Sequence, residues 1–428
     1  MFNALATGSG GVTALRHLAA AEHSKNLLFL HGVVTAARDN GHAGHSLAQT
    51  AYDLLAAIQE QSPDAVDDVL RYPTVGAWAG RTLLAVRRGE PHAAVESARL
   101  AAVAAAAAIK ARYPCTIDIP ATECVVTLPS LGQAVVPRHT GVVLRSGSGG
   151  AELIAGRSCV LIPDSPHVDA PGWHGLRRIH ARSGDAAIGL LIDDLDPHRM
   201  RSVALAPRLT EAETKHWQVM LRGAWEILLK NHAAVAAETA AAIRVLVPLR
   251  GLEHGMRSAT SRETFGSVGI SAPTEPLAMA ISLAHEVQHA KLSALQDIVQ
   301  LTVADGRRRY YAPWREDPRP VSGLLQGAYA YLGIARFWRR QRQTEDGRES
   351  LRAHAEYARW RSAVLSVIID LLHSGQLTET GQEFVATMMG VARGWQDDAV
   401  PAEASELARL AAVQHAERWR IRYGRPPS

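Results

Sequence analysis

The apolar residues of this chain change their spacing twice along the sequence, and this change constrains the fold more than any other feature. In residues 1–112 they recur every three or four positions, the spacing of one helix face. Residues 113–207 contain short β-branched runs such as CVVTLP and GVVLRS between Gly, Pro, Ser and Asp residues, a pattern typical of strands and turns. Helical spacing returns over residues 208–428. The sequence therefore predicts an α+β fold that is predominantly α-helical. It has N- and C-terminal helical zones and a short-stranded sheet zone between them, as separate domains or as one continuous body.

Composition indicates a folded globular protein and argues against several classes of function. The 428 residues are 47% hydrophobic and 21% charged, which is enough apolar material for one large core or two ordinary ones. The net charge of +4 is not gathered into long basic blocks, so we expect no nucleic-acid partner. No apolar run approaches the ~20 residues that cross a bilayer, so we expect no membrane partner. The three cysteines form no CxxC pair, and the first residues lack the order of a signal peptide. Together these features predict a cytoplasmic protein.

The segment HEVQH carries the clearest chemical signal in the chain. It lies in an apolar stretch with helix signals, a capping Thr274 before it and a terminating Gly306 after it. On a helix His285 and His289 project from one face about a turn apart, so their imidazoles can bind one divalent cation. Glu286 can orient or deprotonate a metal-bound water. A largely buried helix with these three polar side chains indicates a metal site, since otherwise they would need other strong partners.

A metal held by two histidines needs at least one further ligand. Downstream, a Pro-rich loop leads into a second helix whose small residues Ala330 and Gly333 would let it pack closely on the motif helix. Gln326 projects from the same face and is the candidate third metal ligand, although it fits equally well as a polar residue at a helix start. Four other residues are candidates for that position: Glu316, Asp317, Tyr329 and His254.

Several stretches of the sequence together resemble one known family. SATSRETFGSVGIS, LAHEVQHAKLSALQD and YYAPWREDPRPVSGLLQGAYAYLGIARFW, with LLIDDLDPHR upstream and SGQLTETGQEFV downstream, are similar to the HExxH-motif domain found in ribosomal-peptide biosynthesis clusters. The resemblance covers roughly the last 240 residues strongly and the N-terminal helices weakly. It implies an iron(II)- and 2-oxoglutarate-dependent oxygenase that uses O2 to hydroxylate a side-chain β-carbon of a ribosomally synthesised precursor peptide.

The resemblance also assigns roles by position. It makes His285 and His289 iron ligands, and it makes Glu286 a residue that orients a ligand or water instead of a hydrolytic base. Gln326 stands where the family commonly has a histidine, so this chain departs from the family pattern at its third ligand.

An oxygenase of this class also needs a cation for the distal carboxylate of 2-oxoglutarate. Arg315 and Arg319, in the loop between the two site helices, are suitable because a guanidinium binds a carboxylate through two parallel hydrogen bonds. Lys291, close to the motif, is a third candidate for this cofactor-binding role. For the two arginines, a salt bridge with Glu316 or Asp317 is an equally good explanation.

Two other functions fit the same residues. In a zinc-dependent metallopeptidase His285 and His289 would bind zinc and Glu286 would activate water. In a non-catalytic peptide-binding scaffold the metal site would be degenerate, as Gln326 suggests. The metal found in the purified protein and its response to 2-oxoglutarate distinguish these alternatives.

Overall fold

The protein is described from a computed structural model, which covers residues 1–39, 44–138, 141–201, 203–251, 256–304, 306 and 308–424. Helices make up 56% of the chain and strands 16%, which confirms the predicted α+β class with its helical excess. Within the described ranges, no helix is both long enough and apolar enough to cross a lipid bilayer.

The N-terminal helices come first in the chain. They are α1 (Phe2–Ala6), α2 (Gly11–Asp39), α3 (His45–Gln61), α4 (Pro63–Leu70), α5 (Pro73–Arg87), α6 (Ala93–Ala98) and α7 (Leu100–Ala111). The first strands follow as β1 (Cys115–Ile119), β2 (Val125–Leu128), β3 (Gly132–Val135), β4 (Val142–Gly147), β5 (Gly150–Ala155), β6 (Ser158–Ile162), β7 (Trp173–Gly175), β8 (Arg177–Ser183) and β9 (Ala186–Ile192).

The remaining elements contain both helices and strands. They are α8 (Glu211–Asn231), α9 (Ala233–Ala242), β10 (Val245–Leu249), β11 (Ser258–Ala259), β12 (Ser267–Ser271), α10 (Pro276–Gln296), α11 (Val321–Gln341), α12 (Gly347–His373), α13 (Glu379–Arg393) and α14 (Ala402–Tyr423). The zone 208–428 is therefore not helical throughout. The runs VLVPL and SVGIS are too short for their apolar pattern to distinguish a strand from a buried helix.

The strands form three sheets, and the five-stranded one leads to the candidate site. Its strand order is β11-β12-β10-β9-β8; β10 is parallel to both β9 and β12, while β8 and β11 are antiparallel to their neighbours. Every residue of β10 is buried, as is typical of a central strand covered on both faces. The other two sheets, β1-β4-β5-β6 and β2-β3-β7, are antiparallel.

The hydrophobic core consists of two large clusters that both cross the predicted zone boundaries. One cluster joins the beginning of the chain to β8, β9 and helices α8 and α10 to α13. The other joins the later N-terminal helices to the small sheets and to alternate residues of β10, namely Val245, Val247 and Leu249. Because Leu246 belongs to the first cluster, β10 contributes to both cores. The three zones thus share their cores.

Three buried carboxylates follow β9 and connect the zones. Tyr72 donates a hydrogen bond to Asp193 (2.7 Å), and Arg177 donates one to Asp194 (2.8 Å). Asp196, also buried, accepts from Thr74 (2.9 Å). Since each carboxylate has protein partners, the segment LLIDDLDPHR stabilises the fold through these hydrogen bonds.

Asp398 joins three C-terminal elements and gives a prediction about stability. Its carboxylate accepts from Arg339 (2.6 Å), Arg342 (3.2 Å) and Tyr357 (2.6 Å). Above all, the hydrogen bond from Arg339 lowers the pKa of Asp398 from 3.8 to about 2. A carboxyl whose folded-state pKa is depressed stabilises the fold above its unfolded pKa, and this contribution is lost as the pH falls through the folded value.

We therefore expect Asp398→Asn to lower the free energy of unfolding by about 2 kcal/mol at pH 7, and by clearly less at pH 3. Urea unfolding of both proteins at the two pH values measures this difference. The exposed neighbour Asp397→Asn is the control and should change stability little at either pH. An equal deficit for Asp398→Asn at pH 7 and pH 3 would contradict the assignment.

Candidate metal centre

Helix α10 carries the HEVQH segment and lies against the five-stranded sheet and α11. It begins with Pro276 in its first turn and ends at Gln296, earlier than the predicted end at Gly306. The reason is tertiary: Thr302 pairs with Leu377 in an isolated β-bridge, which requires extended backbone beyond the helix. The motif residues lie in the middle of the helix, so regular backbone hydrogen bonds fix their positions.

The two motif histidines direct the same ring nitrogen to one point. The Nε2 atoms of His285 and His289 are 3.1 Å apart, and the rings meet edge to face at 77°. Two bonds of ~2.1 Å to one ion can span that distance, so the pair is suitably spaced to bind a single metal. The spacing predicted from the sequence is therefore present in the structure.

The surroundings of His285 keep its imidazole neutral. Burial, and then the nearby His289, lower the pKa of His285 to about 4. A histidine must be neutral to bind a metal, so near neutral pH no proton competes at this ligand. Tyr331 lies edge to face against the His285 ring, with centroids 5.2 Å apart, and helps to exclude solvent from it.

Gln326 contacts the opposite edge of the His289 ring and not the point that the two histidines share. Its Oε1 lies 3.0 Å from His289 Nδ1. Its amide nitrogen donates to Gln296 Oε1 (2.7 Å) and Ser293 Oγ (3.3 Å), which fixes the orientation of the amide. The prediction that Gln326 is the third ligand is therefore not supported by this geometry. Gln326 Oε1 accepts a hydrogen bond from the Nδ1–H of His289. The Nε2 lone pair of His289 therefore stays free for a metal.

This arrangement predicts a moderate effect on metal affinity. Gln326→Ala removes the group that fixes the tautomer and orientation of His289, and such losses weaken metal binding by ~10–100-fold. Gln326→Glu keeps an acceptor oxygen at the same place and should retain most of the affinity. Titration with Mn(II), followed by electron paramagnetic resonance, measures all three proteins. Equal affinity of Gln326→Ala and the wild type would contradict the orienting role.

Glu286 is buried beside the histidine pair and has one side-chain partner on the sheet. Only 1% of it is exposed, and its carboxylate accepts a hydrogen bond from Thr260, the residue that follows β11. Its other oxygen lies 3.9 Å from His285 Nε2. The carboxylate is close enough to act on a water or ligand bound near the histidines, which agrees with a role at the site.

An open pocket of about 760 Å³ contains the histidine pair. Its walls come from β11, from α10 and α11, and from the loop between these helices. Besides the motif residues, the lining includes Thr260, Trp314, Arg315, Asp317, Arg319, Gln326 and Tyr331. The volume is large enough for a small co-substrate together with part of a larger substrate.

The structure brings two of the three predicted carboxylate-binding cations to this pocket. Arg315 and Arg319 both line it, and both donate to Asp317, at 2.8 and 3.0 Å. Gly323 lets α11 approach the Arg319 guanidinium, which lies 3.0 Å from where a Cβ would be. The two guanidinium groups share the Asp317 carboxylate, so one of them can exchange part of this contact for an anionic ligand.

Lys291 lies elsewhere. It is fully buried, and its ammonium donates to Glu238 (2.7 Å) and to the carbonyl oxygens of Gly8 (3.2 Å) and Ser9 (3.0 Å). The predicted cofactor-binding role is therefore replaced by a structural one. Residues two apart on a helix point to nearly opposite sides, so Lys291 cannot share the face of His289.

The other candidates for the third ligand have different surroundings. The hydroxyl of Tyr329 is buried and donates to Leu5 O (2.7 Å), away from the pocket. Glu316 lines the pocket but lies 3.5 Å from Arg422, and Asp317 holds the two loop arginines. His254 lies outside the described residues.

Aromatic residues of the pocket were missed by sequence reasoning. Trp314 and Tyr331 stack at 4.7 Å, and Trp360 lies 4.5 Å from Tyr331. Burial raises the pKa of Tyr331 to about 12, so it stays a neutral phenol. The only sequence signal was the presence of Trp314 in the Pro-rich loop, since the helical position of Tyr331 resembled any core aromatic.

Among the described residues, no group of three or more His, Cys, Asp or Glu side chains is placed to hold a metal. The pair of imidazoles nevertheless fits a divalent ion, because their Nε2 atoms converge and the second nitrogen of His289 has its own partner. Such an ion would take its other ligands from water or from a bound small molecule.

Comparison with known proteins gives no assignment. No family model matches the chain, and no curated protein matches it significantly. Its function must therefore be argued from the site.

Proposed function

We propose that the protein is an iron(II)- and 2-oxoglutarate-dependent oxygenase that hydroxylates a side-chain β-carbon of a ribosomally synthesised peptide. The observation that carries this proposal is one pocket that contains both a converging His285–His289 pair and the Arg315/Arg319 loop. The resemblance of the motif segments to the HExxH family of ribosomal-peptide biosynthesis supplies the reaction class. The protein would act in the cytoplasm.

The small number of protein ligands supports this chemistry. Two histidine nitrogens leave most positions of a six-coordinate ion open, and a chelating keto acid and O2 need such positions. With O2 as the oxidant, iron(II) held by these residues would supply the chemistry that replaces a C–H bond by C–OH while 2-oxoglutarate is oxidised to succinate and CO2. Among the described residues the two histidines are the protein donors at the site, so a bound co-substrate would supply further ligands to the metal.

The protein's own residues would bind, orient and exclude water. Arg315 or Arg319 would bind the distal carboxylate of 2-oxoglutarate by exchanging part of its contact with Asp317. Gln326 would hold the His289 ring, and Thr260 would hold the Glu286 carboxylate so that it orients a water or ligand. Tyr331 and Trp314 would form an apolar wall that keeps solvent from the reacting side chain.

The test of this proposal is the formation of succinate. Protein purified without oxygen and reconstituted with iron(II) should convert 2-oxoglutarate and O2 to succinate and CO2, slowly even without peptide. The reaction should disappear in His285→Ala. Arg315→Gln and Arg319→Gln, tested separately and together, should raise the KM for 2-oxoglutarate. Iron-loaded protein that neither binds nor consumes 2-oxoglutarate would overturn the proposal.

A zinc-dependent metallopeptidase is the second candidate, and the position of Glu286 favours it. A carboxylate 3.9 Å from a metal-binding nitrogen is well placed to deprotonate a zinc-bound water. This candidate predicts one zinc per chain after purification, peptide cleavage that Glu286→Gln abolishes, and no response to 2-oxoglutarate. A chain that binds peptide but no metal would instead be a non-catalytic scaffold.

A further inference from the structure

The strand β11 borders the pocket along its whole length. It is the terminal strand of the five-stranded sheet in the part of the chain that the structure describes, and it pairs only with β12 there. The five consecutive residues 256–260 all line the pocket that contains the histidine pair, and each is half-buried. Among the described residues, the edge of β11 opposite β12 pairs with no other strand, and it lies beside the candidate metal centre.

The pairing of β11 with β12 shows which backbone groups of β11 face away from β12. Ser271 N donates to Arg257 O at 2.8 Å, and the next pairs are Ser258 with Ile270 and Ala259 with Gly269. In an antiparallel ladder, residues that bond to the partner alternate with residues that face away. The backbone N–H and C=O groups of Arg257 and Ala259 therefore face β12, and those of Ser258 face away from it.

We infer that an extended polypeptide segment binds in this pocket by adding a strand to the edge of β11. One of its residues pairs with Ser258, accepting from the Ser258 N–H and donating to its C=O. A neighbouring donor and acceptor on a strand edge match the main chain of a peptide, and such pairing supplies affinity that tolerates many sequences. The choice of a peptide rests on the proposed function, while the binding mode follows from the strand edge.

The side-chain directions agree with this mode. The hydroxyl of Thr260 donates to Glu286, so the side chain of Thr260 faces α10. Ser258 is two residues away on the strand, so its side chain lies on the same face. Residues directly opposite each other on neighbouring strands place their side chains on the same face of a sheet. The substrate residue paired with Ser258 therefore directs its β-carbon towards the helix that carries His285 and His289. Its two neighbours point away.

A pool of random octapeptides, acetylated and amidated at their ends, is the probe for this inference. Retention on the immobilised full chain, without iron or 2-oxoglutarate, is measured by mass spectrometry. Ser258→Pro removes the N–H that faces away from β12 and none that pairs with β12, and sheets tolerate proline at such a position. Loss of that hydrogen bond should reduce retention about tenfold. Ser258→Ala, which keeps the backbone N–H, should retain peptides as the wild type does.

A second measurement on the wild type covers the case in which Ser258→Pro disturbs the fold. Each amide of one retained peptide is N-methylated in turn, and the affinities are compared. Strand addition predicts losses at alternate residues. Three results would overturn the inference. They are retention of the same peptides by folded Ser258→Pro, losses of affinity on N-methylation at consecutive residues, and no retained peptide at all. If the protein binds peptides in this way but forms no succinate, strand addition at β11 stands and the proposed oxygenase activity is refuted.

Discussion

His285→Ala should weaken the binding of a divalent metal by more than ~100-fold, since even the loss of an outer orienting partner costs ~10–100-fold. The variant removes one of two nitrogens that lie 3.1 Å apart, and one imidazole cannot hold the ion alone. Mn(II), which is stable in air, is a suitable probe for titration by electron paramagnetic resonance.

The matched control is His17→Ala, which removes an exposed histidine of α2. It should leave both metal affinity and thermal stability unchanged. Among the described residues, His285 is hydrogen-bonded only to His289, which belongs to the same site, so His285→Ala should also remain folded. Unchanged metal affinity in His285→Ala would show that the ion binds elsewhere.

Lys291→Ala should lower the free energy of unfolding by ~3–5 kcal/mol, the usual cost of leaving one member of a buried ion pair without its partner. Glu238 is 4% exposed and, within the described part of the chain, would keep only the Gly11 N–H (2.9 Å) as a hydrogen-bond partner. The carbonyl oxygens of Gly8 and Ser9 would also lose their donor. Denaturant unfolding measures the loss.

A double variant separates this structural role from a role in cofactor binding. Lys291→Met with Glu238→Gln removes both charges and keeps the acceptor for Gly11, so most of the stability should return. It should bind 2-oxoglutarate as the wild type does, because neither residue lines the pocket. Normal stability of Lys291→Ala together with lost 2-oxoglutarate binding would restore the cofactor role that the sequence suggested.

The sequence predicted well what depends on residue spacing. The period of the apolar residues was enough for the α+β class, and the four-residue spacing of His285 and His289 was enough for their convergence. The small residues of α11 correctly predicted a close approach to α10, since Gln288 lies 2.6 Å from where a Cβ of Gly333 would be. The loop position of Arg315 and Arg319 also brought both to the pocket.

Other features depend on tertiary contacts that no local pattern encodes. Thr260 reaches Glu286 only because β11 and α10 lie side by side. Whether Gln326 meets the metal-binding nitrogen of His289 or the other one depends on how the two helices are rotated against each other. The strands β10 and β12 were expected to be helical because short apolar runs fit both periods. Lys291 is the exception, because helical geometry alone already places it away from the face of His289.

A crystal structure of the protein with iron(II) and 2-oxoglutarate, prepared without oxygen, is the most direct test of the proposed site. The proposed site predicts one anomalous peak bonded to the Nε2 atoms of His285 and His289 at ~2.0–2.2 Å. It also predicts a chelating 2-oxoglutarate whose distal carboxylate meets Arg315 or Arg319, with Gln326 still on His289 Nδ1. Iron bound away from the two histidines, or bound there with an added protein ligand and no 2-oxoglutarate, would contradict it.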